Sequence, residues 1–266
     1  MKQINIDLDN LKDEGLDSVS GMERRAFMKI GLAITGLFAG GKLLSVISNV
    51  EEAFASESDF VEQYPYRPHY SMMIRQGLCI DCERCVEACR ETNEVPDYGY
   101  RTRVLRQRVT DAIGRQREFI PILCNHCNEP SCTRACPTKA TYKDKTTGIV
   151  MMDRKKCIGC KMCILACPYE ARYFNEEAHA IDKCNFCWDT RLSKGKKLTA
   201  CANVCPTGTR MFGDISDPDN VVYKMVHQIE KQVWVLRPEA GTKPNVFYSK
   251  ATRSSPWELR RQPEER

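Results

Sequence analysis

The sequence predicts an α+β protein in which short strands and helices surround four cysteine-rich loops. All sixteen cysteines of the 266-residue chain fall into four groups of four, and no cysteine lies outside them. Segments with strand-like alternation flank the groups, and a helix-like or proline-led segment follows each one. The groups, numbered one to four, are Cys79, Cys82, Cys85 and Cys89; Cys124, Cys127, Cys132 and Cys136; Cys157, Cys160, Cys163 and Cys167; and Cys184, Cys187, Cys201 and Cys205.

The predicted strands between the groups are short. One leads into group one, a hairpin separates groups one and two, and a strand before group three repeats the arrangement before group one. A further strand follows group four. These segments are residues 71–74, 103–109 with 116–123, 148–153, and 211–214.

The C-terminal part is predicted to add a small helix and strand region. Asp217 and Pro218 are expected at the N-cap and first turn of a helix. The apolar residues between Val222 and Ile229 recur at helical spacing. Residues 233–236 and 246–248 are each expected to form a strand.

Groups one and three share the spacing Cys-x2-Cys-x2-Cys-x3-Cys, which bacterial ferredoxins use to hold cubane iron–sulfur clusters. Group two is two residues longer, and in group four thirteen residues separate Cys187 from Cys201. Proline follows the last cysteine of groups two, three and four, at Pro137, Pro168 and Pro206, whereas Arg90 takes this place in group one. Three thiolates from one tight loop bind one cluster, and the fourth points to a neighbouring cluster. We therefore predict four [4Fe-4S] clusters.

Disulfides and structural zinc are the alternative fates of these cysteines. Disulfides are common in exported proteins, but the two-residue spacing closes loops too short for good bridge geometry. Structural zinc prefers two Cys-x2-Cys pairs that lie well apart. The cysteines of groups one and three crowd into eleven residues each, so zinc stays open only at group four.

The charge balance does not indicate a nucleic-acid partner. Residues 56–266 contain 34 Lys and Arg against 27 Asp and Glu, a net charge of +7. Four cubane clusters with their thiolates would add roughly −8, so the basic excess mostly compensates cluster charge. Six arginines between Arg101 and Arg117 form either a solvated hairpin face or a docking surface for an acidic or haem-bearing partner.

Residues 1–55 are predicted to be a twin-arginine export signal. Arg24 and Arg25 precede a weakly apolar stretch, residues 30–50, which glycines and a lysine make a poor membrane span. The small residues Ala53 and Ala55 predict cleavage after Ala55. The twin-arginine route carries folded proteins, so the clusters would be inserted before export. An uncleaved N-terminal anchor is the alternative.

Several motifs resemble those of the DMSO reductase iron–sulfur family. Within this family the chain is most similar to exported iron–sulfur subunits of formate-dependent nitrite reductase, and of tetrathionate and polysulfide reductases. The motifs are residues 124–127 with 132–141, residues 157–169, residues 182–187, residues 212–218, the nitrite-reductase-like residues 89–96, and the tetrathionate-type residues 235–248.

This resemblance implies two ferredoxin-like modules related by a pseudo-twofold axis, with group one paired to group four and group two to group three. It also implies four ligand sets. Set A is Cys79, Cys82, Cys85 and Cys205; set B is Cys184, Cys187, Cys201 and Cys89; set C is Cys124, Cys127, Cys132 and Cys167; set D is Cys157, Cys160, Cys163 and Cys136. The resulting domains would be the signal, residues 1–55, the four-cluster domain, residues 56–215, and an extension with a polar tail, residues 216–266.

The resemblance further implies an electron-transfer subunit and no catalytic residues. Its clusters would pass electrons in the periplasm between a multi-spanning, quinone-reactive membrane subunit and a terminal molybdopterin or multihaem oxidoreductase. Arg84, Lys161 and Lys183 lie in or beside the cysteine loops and either raise a local cluster potential or are solvated.

The complex to which the subunit belongs stays open: it is either a molybdopterin complex of the tetrathionate or polysulfide type or a multihaem nitrite or sulfite pathway. An enzyme that reduces a substrate at its own cluster is disfavoured because all sixteen cysteines are assigned as ligands, and a zinc-stapled binding protein is disfavoured by the spacing.

Overall fold

The computed structural model describes residues 64–111, 114–230 and 232–250, without the side chains of residues 109–116. These residues belong to one compact unit, residues 62–266. The predicted export signal, with Arg24, Arg25 and the cleavage site after Ala55, lies outside them. So do residues 112 and 113 of the predicted hairpin turn.

The elements of the described residues are short, as the sequence predicts. The strands are β1 (Tyr70–Arg75), β2 (Thr102–Asp111), β3 (Gly114–Leu123), β4 (Thr141–Lys143), β5 (Val150–Met152), β6 (Tyr173–Asn175), β7 (Ala180–Asp182), β8 (Arg210–Asp214) and β9 (Val246–Ser249). The α-helices are α1 (Arg84–Asn93), α2 (Ser131–Arg134), α3 (Met162–Leu165), α4 (Ala200–Asn203) and α5 (Val221–Lys224). Helix α5 continues as a π-helical turn, Met225–Ile229. Turns of 3-10 helix are Gln76–Leu78, Arg154–Lys156, Leu192–Lys194 and Pro238–Ala240.

The central sheet joins three strands that are far apart in the sequence. Strand β1 pairs antiparallel with β8 and parallel with β9. Met72 and Ile74 of β1 are fully buried, and they pack with Phe212 of β8 and with Val246 and Tyr248 of β9. The sheet therefore ties the segment before group one to the segment after group four.

Three two-stranded ribbons surround the cysteine loops. The predicted hairpin is confirmed as β2 and β3, and it runs from the pair Thr102 and Leu123 to the pair Asp111 and Gly114. Strands β4 and β5 pair antiparallel, as do β6 and β7. The strand predicted before group three is confirmed as β5.

Two C-terminal predictions are wrong. Helix α5 is capped by Asn220, whose side chain accepts from the backbone N–H of Val222 at 3.0 Å, and not by Asp217. Asp217 instead accepts from the backbone N–H of Asp219 in the preceding turn. Residues 233–236 form no strand, since only Trp234 forms a β-bridge, to Tyr248.

No helix among the described residues is both long and apolar enough to cross a bilayer.

Candidate iron–sulfur cluster sites

The four cysteine loops share one backbone feature. In each Cys-x-x-Cys pair, the residue before the second cysteine has a left-handed conformation. These residues are Asp81 (φ 57°), His126 (φ 45°), Gly159 (φ 70°) and Phe186 (φ 53°). This conformation curls the loop so that a backbone N–H points back at a sulfur: Gly159 N–H donates to Cys157 Sγ and Phe186 N–H to Cys184 Sγ, both at 3.4 Å. The loops therefore offer sulfur atoms on a concave backbone surface.

A short helix carries the third cysteine of every group. Cys85 lies on α1, Cys132 on α2, Cys163 on α3 and Cys201 on α4. The helix begins two residues after the second cysteine in groups one and three, four residues after it in group two and thirteen residues after it in group four. The fourth cysteine then lies within α1 in group one and just after the helix in the other groups, which moves it away from its own loop.

The cysteines of set A and of set B each line a cavity. One cavity is bounded by Cys79, Cys82, Cys85 and Cys205. A second cavity is bounded by Cys89, Cys184, Cys187 and Cys201. In both cases the structure brings group one together with group four.

Sets C and D bring groups two and three together. Burial raises the pKa of Cys127 to about 12, and the neighbouring thiols of Cys124, Cys132 and Cys167 add to this shift, so the four cysteines of set C are neighbours. In set D, burial raises the pKa of Cys163, and Cys136 contributes as a close neighbour. The other two cysteines of set D, Cys157 and Cys160, belong to the loop that precedes Cys163.

The chemistry of these cysteines fits iron–sulfur clusters. All sixteen are free thiols. Burial raises the pKa of Cys89 and of Cys184, and adjacent thiols raise both further. Thiolate ligands so crowded and so buried need a positively charged centre to compensate them, and iron supplies it in a cluster. Among the described residues, no group of three or more His, Cys, Asp or Glu side chains is placed to hold a single metal ion.

The four sets follow one another in the order A, B, C, D. Cys85 of set A lies near Cys201 of set B, Cys184 of set B near Cys124 of set C, and Cys132 of set C near Cys163 of set D. The two exposed cysteines, Cys82 and Cys160, belong to sets A and D, and the others are buried or half-buried.

Comparisons with known proteins identify the family. A model of a 4Fe-4S dicluster domain matches residues 115–215, and a model of a 4Fe-4S binding domain matches residues 76–98. A tetrathionate reductase subunit from Salmonella typhimurium is 39% identical over 215 residues, which are 80% of this chain and 84% of that protein. This protein belongs to the family of 4Fe-4S electron-transfer subunits.

Other relatives come from different reductase systems. A NrfC homolog of Haemophilus influenzae is 40% identical over 180 residues, 67% of this iron–sulfur subunit and 79% of the homolog. A polysulfide reductase chain from Wolinella succinogenes is 41% identical over 186 residues, 67% of this protein and 92% of that chain. The predicted family resemblance is thereby confirmed.

Of the three cations predicted beside the loops, one is buried in this iron–sulfur subunit. Arg84 and Lys161 are exposed. Lys183 is buried, and its ammonium group donates to the carbonyl oxygens of Val150 and, at 2.7 Å, of Cys184. It is close to Cys124 as well as to Cys184, so it lies between sets B and C.

Three arginines of the run form ion pairs with carboxylates: Arg101, Arg103 and Arg106. Arg101 is buried and bonds Asp182 through two hydrogen bonds of 2.9 and 3.0 Å. Arg106 bonds Asp81, at 2.6 Å, and Glu83 in the loop of group one. The Arg106 contacts hold the hairpin against the loop of group one.

Sequence reasoning missed two buried arginines, Arg172 and Arg210. Each lies five residues after a Cys-Pro pair, at Cys167 and at Cys205 respectively. This shared offset is the signal that identifies them. Both residues are at most 2% exposed, and their side chains contact cysteine sulfur atoms.

His126 packs in its loop, as the sequence suggests. Its ring stacks on Phe186 with 3.8 Å between centroids, and its Nδ1 accepts from the backbone N–H of Val150. Burial keeps the pKa of His126 well below the usual value. The stack joins the loops of groups two and four, which contribute to sets C and B.

Proposed function

We propose that this subunit carries electrons through four [4Fe-4S] clusters, held by sets A to D, between a membrane quinone-reactive subunit and a terminal respiratory oxidoreductase. Each cluster, when bound, supplies a carrier of one electron. The residues around the sets bind the clusters, shield them from water and adjust their potentials through burial, hydrogen bonds and nearby charge.

One observation carries this proposal: the cysteine sets form a single series whose exposed members lie at its two ends. Cys82 belongs to the first set and Cys160 to the last, while all four cysteines of set B are buried. A series of this kind suits the passage of electrons from one surface of the protein to another. A site for chemistry on a substrate would instead need an open position at an inner cluster.

We also infer the pseudo-twofold arrangement of two ferredoxin-like modules. Corresponding contacts support it. Arg172 donates to Thr141 Oγ1 at 2.9 Å, and Arg210 donates to Thr102 Oγ1 at 2.7 Å. Each arginine follows a Cys-Pro pair, and each threonine begins a strand, β4 or β2.

The two ends of the series are proposed to contact the two partners. At the set D end, Ile158 is 67% exposed and Leu165 is 81% exposed, with Met162 half exposed beside them. At the set A end, Ile80 is 60% exposed. Exposed apolar side chains around an exposed cysteine suit a protein interface and not a solvated surface. The terminal partner is either a molybdopterin or a multihaem oxidoreductase, because the relatives include tetrathionate and polysulfide reductase subunits as well as NrfC proteins.

The proposed location is the periplasm, at the surface of the cytoplasmic membrane through the partner. It rests on Arg24, Arg25 and the small residues before position 56. Replacing both arginines by lysine should leave the protein in the cytoplasmic fraction through loss of contact with the twin-arginine translocase. Normal export of this variant would refute the proposed route.

Breaking the series at an inner set tests electron transfer. Cys187→Ser removes a buried ligand of set B, so quinol-driven turnover in membranes should fall at least about tenfold, while the variant still binds both partners. Ser193→Ala, which changes no cysteine in the same segment, is the matched control. Unchanged turnover in Cys187→Ser, with set B shown to have lost its cluster, would refute transfer through the series.

A further inference from the structure

We propose that Arg172 and Arg210 are each shared by two neighbouring clusters and set the potentials of both: Arg210 for sets A and B, Arg172 for sets C and D. The inference rests on the proposed function, since it requires clusters at these sets. The two residues are positioning residues for electron transfer and bind no iron.

Arg172 lies at the junction of sets C and D. Its Nη2 atom donates to Cys132 Sγ at 2.9 Å, and Cys132 belongs to set C. Its guanidinium charge also acts on the thiol of Cys163 in set D, so the two groups are close. One cation thus lies beside the third cysteine of group two and the third cysteine of group three.

Arg210 has the corresponding place between sets A and B. Its Nη1 atom lies 4.0 Å from Cys201 Sγ, in set B. Its guanidinium charge also acts on the thiol of Cys85 in set A, so the two groups are close. These are the third cysteines of groups four and one, so the two arginines occupy corresponding places.

Neither guanidinium group has a carboxylate partner within the described part of the chain. Arg172 and Arg210 are 2% and 1% exposed, and Nη1 of Arg172 and Nε of Arg210 have no hydrogen-bond partner there. Burying a cation without a counter-charge is strongly unfavourable. The nearby Arg101 shows the contrast, because its buried charge is neutralised by Asp182. The counter-charge for Arg172 and Arg210 is therefore the negative charge of the cluster sites that they contact.

A shared cation has a definite electrical consequence. Reduction adds a negative charge to a cluster, and a nearby positive charge stabilises the reduced form and raises the potential. The effect falls with distance, so Arg210 acts on sets A and B and Arg172 acts on sets C and D. Removing one arginine should change two potentials of the four.

Neutral and charge-retaining variants of the full cluster-loaded protein test this proposal. The variants are R172Q, R172K, R210Q and R210K. Iron and sulfide are counted in each, and every potential is followed by an EPR-monitored redox titration. We expect R210Q to lower the two potentials of one pair and R172Q to lower the two of the other pair. Each lysine variant should stay nearer to the wild type than its glutamine counterpart.

The remaining outcomes also decide the question. If a glutamine variant loses about half of the iron while the lysine variant retains it, charge compensation is supported, because charge alone separates the two. Equal losses in both variants would refute it and assign the arginine a steric role. Full iron with unchanged potentials, or a shift of all four potentials, would also overturn it. Absence of clusters from the wild type would instead refute the proposed function itself.

Discussion

A left-handed residue precedes the second cysteine of each loop. Only Gly159 among the four is a glycine, the residue that adopts this conformation without strain. Asp81, His126 and Phe186 adopt it with a side chain, at a cost of about 1 kcal/mol each. The conformation directs backbone N–H groups toward cysteine sulfur atoms, as at Gly159 and Phe186. It was not predictable from residue type, because three of the four residues give no glycine signal.

The sharing of cluster ligands between distant groups gives a prediction at single residues. Cys79→Ser and Cys205→Ser should perturb the same cluster, because both side chains line one cavity although they belong to groups one and four. EPR spectra of the two variants should lose or alter the same signal.

Cys89→Ser is the matched comparison, since Cys89 shares group one with Cys79 but lines the set B cavity. It should alter a different signal. Identical spectra for Cys79→Ser and Cys89→Ser would show that each group holds its own cluster, and the assignment of sets would be wrong.

His69 predicts a pH dependence of stability. It is buried against the rings of Tyr64 and Tyr66. Burial, reinforced by Lys143, lowers the pKa of His69 to about 4, and Asp214 only partly opposes this. The unfolded chain takes up the proton near pH 6.5, whereas the folded chain does not until about pH 4. The stabilisation that comes from the neutral His69 is therefore complete above pH 6.5, and it is lost as the pH falls from 6.5 toward 4.

His69 should therefore lower the free energy of unfolding by about 2 kcal/mol between pH 7 and pH 5. Anaerobic denaturant unfolding at the two pH values measures it. His69→Gln cannot titrate, so its free energy of unfolding should fall less over this interval than that of the wild type. An equal fall in both proteins would mean that His69 is protonated in the folded state at pH 5.

At the scale of elements, the cysteine loops could be predicted from the sequence more reliably than the helices, because most of the helices are short. Helices α2, α3 and α4 contain four residues each, which is too short for a periodic apolar pattern. Their place is set by the cysteine each one carries. The longer hairpin, β2 and β3, shows clear alternation over ten residues per strand and was predictable for that reason.

The exposed apolar residues of α3 and its loop predict an interface. Ile158→Glu combined with Leu165→Glu should weaken binding to one partner about tenfold or more, because both exposed side chains would otherwise be buried in the complex. Iron content and EPR spectra should stay unchanged, since neither residue is a proposed ligand. Binding is measured by co-purification from membranes and by titration with the separate partner subunits.

Ile80→Glu is the control at the opposite end, and it should weaken binding to the other partner. If the double variant at the set D end binds both partners normally, the surface around Cys160 is not an interface. If both variants weaken the same partner, the proposed division of the two ends is wrong.

At the scale of the whole molecule, the sequence predicted the cysteine groups but not how the chain closes around them. The parallel pairing of β1 with β9 joins residues 72–75 to residues 246–249, and no local pattern encodes so distant a contact. Arg172 and Arg210 also escaped prediction, since an arginine in a basic chain is ordinarily a surface residue. Asp217 was predicted as a helix cap from its type, but Asn220 is the residue that reaches the free N–H group.

Buried positive charge is a property of the whole molecule. Arg210 lies between sets A and B, Lys183 between sets B and C, and Arg172 between sets C and D. Each junction in the series thus contains one buried basic side chain. The basic excess that the sequence shows is partly internal, where it faces the cysteine sets and not a nucleic acid.

Chemical analysis combined with redox-monitored EPR of the purified protein tests the central claim most directly. Four [4Fe-4S] clusters require about sixteen iron and about sixteen acid-labile sulfide per chain, and reduction should develop four paramagnetic centres that interact with their neighbours. A colourless protein that contains zinc or no metal, lacks sulfide, and stays EPR-silent after reduction would contradict the account.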